Sequence, residues 1–192
     1  MTDTQFATKL ISLAEWIEKY NAEPFEIIDG EQFILTPVVT GHQNVSRNLF
    51  APLHTHVKTN KLGEVFYEVP FVLLEQRQWV KGARVPDLLF IRAERWAEYI
   101  QSHPDWKDKP LVIVPDLVVE IISPDDTYRH INRKVAAYLT DGVRLIWVID
   151  PEPRSVLVYA PNIPQTLFSI ADTLTGGDVV PGFELPVSAL FD

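Results

Sequence analysis

Two strand-like runs constrain this chain more than any other feature, RVPDLLFI over 84–91 and PDLVVEIISP over 115–124, because each sets one carboxylate inside an apolar stretch. A buried strand has no packing use for an ionised Asp87 or Glu120. Such a charge is costly in a low-dielectric interior unless a metal, a cation or open water meets it. Strand parity then narrows the choice. Residues 116, 118, 120 and 122 share a face, but Asp116 and Glu120 stand about 13 Å apart along an extended chain. Ligands of a Mg²⁺ ion lie about 2.1 Å from it, so these two acids cannot readily share one ion. Glu120 needs a partner from another strand, and Asp87 is the natural candidate. Asp116 reads as a strand-start residue after Pro115.

The segment after Glu120 adds a cation. Ser123-Pro124 reads as a helix start, with Asp125 and Asp126 in the first turn. On the helix expected over 125–140, Ile131, Val135, Tyr138 and Leu139 form the buried face. Lys134 lies on the flank of that face beside Tyr138, with His130 one turn earlier. A lysine there can lean toward the sheet and reach Glu120. Two acids and a lysine in this arrangement point to a metal-dependent hydrolase. The rival account of Glu120 is a buried ion pair with Lys134 and no metal.

The rest of the chain supplies a frame. Residues 1–11 read as a loose lead. Ser12 and Glu15 match a capping box, with Leu13, Trp16, Ile17 and Tyr20 as the helical stripe. Asp29-Gly30 suits a type I′ turn in a hairpin over 25–35. A helix is expected over 41–60 through Val45, Leu49, Leu53 and Val57, bent or split at Pro52. Strands are expected at 64–69, 71–76, 84–91, 143–149 and 155–159. Residues 93–114 read as an insertion between core strands, with a short helix near 95–101. The tail over 173–192 carries a Gly176-Gly177 turn, short strands and an apolar end. At 192 residues, with no repeat or linker, this is one α/β domain, a mixed sheet flanked by helices.

Composition excludes some classes. With no cysteine, disulfides and thiolate ligands are ruled out, which fits a cytoplasmic protein. The apolar runs are strand-sized, so no membrane span or signal peptide is expected. A net charge of −9 argues against non-specific coating of DNA. It leaves room for a nuclease whose bound ion or local basic rim reverses the field. A rim holding Arg84, Arg92, Arg129 or Arg133 would favour a polyanionic substrate.

The combination of VPDLLFI, PDLVVEIISPDD, RKVAAYLTDGVRLIWVIDP and GDVVPGFELPVSALF, in that order, resembles the Uma-two family of endonucleases. That family is placed in the restriction-endonuclease-like PD-(D/E)XK superfamily, and the resemblance runs from about Glu26 to Asp192. It implies a restriction-endonuclease-like fold carrying an additional N-terminal helix and β-hairpin. It makes Asp87 the motif aspartate and Glu120 the second metal-binding acid. The backbone carbonyl of Ile121 joins them as a ligand of one or two Mg²⁺ or Mn²⁺ ions. The superfamily lysine usually stands two residues after that acid, where this chain has Ile122. Lys134 matches the displaced lysine of the family. His42 is implied as an accessory ligand or phosphate contact. His130 and Tyr138 are further accessory candidates by their helix positions, although the position of His130 fits a solvent-facing residue better than a substrate contact. The implied activity is metal-dependent hydrolysis of DNA phosphodiester bonds by a homodimer. The alternatives are action on RNA, and an inactive nuclease-fold domain that binds nucleic acid or protein.

Overall fold

The computed structural model describes residues 11–37 and 39–192. The expected loose lead lies outside the described residues except for Ile11. That residue is not loose, since β1 (Ile11–Ser12) pairs with Trp79 and Val80. Ser12 also starts α1 (Leu13–Ala22), its hydroxyl accepting from the Glu15 amide at 3.2 Å as the capping box predicts. β2 (Phe25–Ile28) and β3 (Glu31–Ile34) form the expected hairpin. Asp29 and Gly30 turn it at φ 51° and 77°, both positive as a type I′ turn requires.

α2 (Thr40–Thr59) runs unbroken through Pro52, against the expectation of a split. A mid-helix proline costs about 3 kcal/mol. Val45, Leu49, Leu53 and Val57, all buried along one face, each return about 2 kcal/mol, which outweighs it.

β4 (Gly63–Tyr67), β5 (Phe71–Glu75), β6 (Trp79–Arg84) and β7 (Leu88–Arg92) follow. The run over 84–91 is therefore not one strand. β6 belongs to a smaller sheet with β1, β2, β3 and β5, and β7 to the central sheet. Proline cannot donate to a ladder, and the chain changes sheets at Val85-Pro86-Asp87. Arg84 is drawn away into a buried pair with Asp141, Nη2 to Oδ2 3.0 Å.

α3 (Ala93–Ser102) fills the expected insertion. β8 (Leu117–Ile121), α4 (Tyr128–Asp141) and β9 (Leu145–Asp150) then make a βαβ unit, the strands parallel. β10 (Ser155–Tyr159) and β11 (Thr166–Phe168) complete the central sheet in the order β11-β10-β9-β8-β7-β4. β12 (Thr173–Thr175) and β13 (Glu184–Pro186) pair in the tail. α4 starts later than expected. Thr127 is its cap, while Ser123–Asp126 closes on itself, the Ser123 amide donating to Asp126 Oδ2 at 2.8 Å. Asp125 and Asp126 thus precede the helix.

Both faces of the central sheet are covered, which explains its continuous apolar runs. Leu117, Val119 and Ile121 pack under α2 and the tail, while Val118 packs under α4 beside Leu89, Ile146 and Val148. Glu120 shares the α4 face with Val118. No helix among the described residues is long and apolar enough to cross a membrane.

Candidate active site

Asp87 stands where the chain enters the central sheet. The β7–β8 ladder runs only to Leu88 opposite Val119. Beyond it the Asp87 side chain takes the place of a strand, Oδ2 accepting from the Ile121 amide at 2.6 Å. Within a strand the N–H and C=O of one residue point the same way, so the Ile121 carbonyl lies on the side that Asp87 occupies. Asp87 Oδ1 is 3.1 Å from His42 Nε2 on the first turn of α2. Burial works against the imidazolium of His42. The hydrogen bond to Asp87 and the charges of Asp87, Glu120 and Glu68 outweigh it and raise the pKa. The other ring nitrogen, Nδ1, is buried without a hydrogen-bond partner among the described residues.

Glu120 is 5% exposed and fully engaged. Its Oε2 is 2.8 Å from Lys134 Nζ, and its Oε1 accepts from the Tyr138 hydroxyl. Lys134 also lies 3.1 Å from Glu26 Oε2. Burial is the largest influence on Glu120. With the nearby Asp87 and Glu26 charges it outweighs Lys134, and the carboxyl is pushed up to about 8. Burial opposes the Lys134 ammonium, but Glu120, Glu26 and Asp87 together raise its pKa. The cluster therefore favours an added positive charge, whether proton or metal.

The structure brings Asp87, Glu120, Lys134, His42 and Tyr138 into one network. Tyr138 is fully buried beneath α4, so it orients Glu120 and does not face the cleft. His130 is half-buried in the cleft wall, its ring 5.0 Å from that of Phe33, and is not the solvent-facing residue its helix position also allowed. Burial, with Lys134 next, lowers its pKa. Asp116 sits at the other end of β8, accepting from the Arg92 amide at 2.9 Å and pairing with Arg95 at 2.8 Å.

Glu26 is the functional residue that sequence reasoning missed. It is 1% exposed on β2, and its Oε1 accepts from the Val85 amide at 2.8 Å. The signal was available, because Phe25-Glu26-Ile27-Ile28 sets a carboxylate in an apolar strand just as the runs around Asp87 and Glu120 do.

These groups line a cleft of about 410 Å³. Among the described residues five acids (Glu26, Glu68, Asp87, Glu120 and Asp126) face it against one lysine. The arginine rim that would mark a polyanion site is absent from that lining. Arg84 is buried on Asp141, Arg92 ends β7 on the Asp116 side, and Arg133 pairs with Asp29 and Glu31 at 2.9 and 2.6 Å. Arg129 does not line the cleft either.

Among the described residues no three or more His, Cys, Asp or Glu side chains gather as a ready cage for an ion. The donors at hand are two carboxylates and the Ile121 carbonyl, all hard oxygens. That set suits Mg²⁺ or Mn²⁺, which take few protein ligands and keep several waters. The excess negative charge around Glu120 is the second reason that a cation fits here.

Known proteins agree with this architecture. A solved structure from Anabaena variabilis ATCC 29413, described as "a putative nuclease belonging to DUF820", superposes with a TM-score of 0.76 over 94% of this chain and 97% of that one, at 20% identity. At that identity the likeness is one of fold, and the fold is that of a restriction-endonuclease-like protein. No curated protein matches the chain. The Uma2 (Uma-two) family model, described as "Putative restriction endonuclease", matches residues 12–188, from the cap of α1 to the last turn, and the chain belongs to that family.

Proposed function

We propose that this protein is a metal-dependent endonuclease that hydrolyses phosphodiester bonds of DNA. The observation that carries the reading is the position of Lys134. The superfamily's lysine position is held by Ile122, yet α4 delivers an ammonium to Glu120 at 2.8 Å, in the cleft that Asp87 also lines. Family membership and the nuclease-like fold support it.

Asp87, Glu120 and the Ile121 carbonyl would hold one or two Mg²⁺ or Mn²⁺ ions. When bound, such an ion lowers the pKa of a water and neutralises charge on the phosphoryl group. The chain's own residues do the rest. The Ile121 amide and His42 fix Asp87 from two sides, and Tyr138 fixes the rotamer of Glu120. Lys134 stays protonated and donates from Nζ to a non-bridging phosphate oxygen or to the attacking water.

The acid-rich lining favours a second reading, a nuclease-fold domain that binds a partner without cutting. One experiment separates the two: calorimetric titration with Mn²⁺ of wild type and Glu120→Ala, with plasmid nicking assayed on the same samples. The nuclease reading expects binding and nicking in the wild type and neither in the folded variant. Nicking by Glu120→Ala at the wild-type rate would refute the site, and absence of both activities in the wild type would favour the binding domain. A homodimer, by which two sites meet two strands, and a cytoplasmic location complete the proposal.

A further inference from the structure

Glu26 is the one buried acid of the cleft that comes from the smaller sheet. Lys134 serves two carboxylates with one charge, 2.8 Å from Glu120 and 3.1 Å from Glu26. For Glu120 to give an oxygen to a divalent ion, its bond to the ammonium must loosen. A buried ammonium left without a carboxylate is strongly disfavoured. Glu26 is already within reach of Lys134, so the lysine can shift its weight from one acid to the other without leaving the cleft. Both Glu26 oxygens are occupied, one by the Val85 amide and one by Lys134. Neither Tyr138 nor His42 could do this. The first is a donor to Glu120, and the second is a donor to Asp87.

We propose that Glu26 is a positioning residue that retains Lys134 when Glu120 engages a divalent cation. It keeps the ammonium from competing for Glu120 and keeps it beside the substrate. This inference rests on the reading of Asp87 and Glu120 as the cation-binding acids. It also gives the N-terminal hairpin a role in the chemistry, because β2 carries the retaining acid.

The test is a double-mutant cycle read by Mn²⁺ calorimetry on wild type, Glu26→Gln, Lys134→Met and the double variant, each first shown to be folded by its melting transition. Lys134→Gln replaces Lys134→Met should the latter not fold, and Glu26→Met likewise replaces Glu26→Gln. A residue acting through a neighbour typically changes metal affinity about 10- to 100-fold. The expected result is a loss of at least about tenfold in Glu26→Gln that disappears in the Lys134→Met background, where there is no ammonium to retain. Equal losses in both backgrounds would make Glu26 a direct ligand and overturn the proposal. An affinity indifferent to Glu26→Gln would leave Glu26 a structural acid, and overturn it while sparing the cation site. No Mn²⁺ binding by the wild type would sink the cation site and this inference together.

Discussion

Replacing Lys134 with Met tests the charge balance of the cluster with little change in volume. The side chain is 8% exposed, its two carboxylate partners 1% and 6%, so solvent screens these contacts little. Removing one partner from a buried pair costs about 3–5 kcal/mol, because the other charge is left uncompensated. The variant can limit that cost by holding the Glu120 proton to higher pH than the wild type does, since the Lys134 charge that lowers the Glu120 pKa is gone. The sign follows from linkage. An acid whose pKa is raised on folding stabilises the native state below its unfolded value and loses that contribution as pH rises through the folded one. For Glu120 this window runs from the ordinary 4.5 to about 8 in the wild type, and higher without Lys134, whose charge lowers it. One extra proton changes relative stability by about 1.4 kcal/mol per pH unit. Glu120 already holds its proton in the wild type over most of the range below pH 8, so the deficit of Lys134→Met should grow above that value, by up to about 1.5 kcal/mol between pH 8 and 9.5. Urea unfolding at pH 8 and 9.5 reads this as a midpoint shift of up to about 0.7 M. A deficit equal at both values would show that the carboxylates do not take up the missing charge, and the reasoning would fail.

Three further perturbations have defined outcomes. His42→Asn removes the Asp87 contact. Because the His42 pKa is raised on folding, its contribution is present below the ordinary value of 6.5 and fades as pH rises through the folded value. Melting curves should show a wild-type advantage of about 1.5–3 kcal/mol at pH 6 that shrinks by pH 8.5. Gly176→Ala should destabilise by more than about 2 kcal/mol in urea, since a Cβ there would meet the Val180 carbonyl oxygen at 2.2 Å. Arg133→Ala breaks pairs whose acids are mostly exposed and should cost under about 1 kcal/mol in the same assay. A larger loss would mean that Arg133 anchors the β2–β3 hairpin.

The sequence exposed the acids because apolar strands make a charge conspicuous, and it exposed Lys134 because helical spacing sets it beside buried Tyr138. The same contrast marked Glu26, but the turn dipeptide that follows it drew the reading to hairpin geometry alone. The change of sheet at Pro86 was less legible. Arg84 and the apolar residues after Asp87 form one continuous pattern, and Pro86 divides it together with tertiary pairing to Asp141 and Glu26. β6 was hidden by Lys81 and Gly82, which break the apolar alternation of a strand that nonetheless pairs with β5 on both sides of a bulge at Lys81. The start of α4 misled for a local reason. Ser123-Pro124 has the chemistry of a cap, yet Asp126 satisfies the Ser123 amide in a turn, and Thr127 caps the helix four residues later. Which arginines face the cleft was beyond any pattern of spacing, because Arg84 and Arg133 are claimed by acids distant in the chain.

The fate of those arginines bears on how a polyanion could enter. An acid-rich lining with one lysine among the described residues disfavours a phosphodiester, and a protein of net charge −9 offers no compensating field at long range. Divalent ions on Asp87 and Glu120 would invert the local sign, so the proposed activity requires the ion to bind before the DNA. Binding should therefore be conditional. Fluorescence anisotropy of a labelled duplex should show weak association in EDTA. Affinity should rise at least about tenfold with Ca²⁺, an oxygen-seeking ion that can fill the site. The Glu120→Ala variant should lose that rise. DNA that bound equally well in EDTA would have to contact a surface away from this cleft. The acids would then belong to some chemistry other than phosphodiester cleavage.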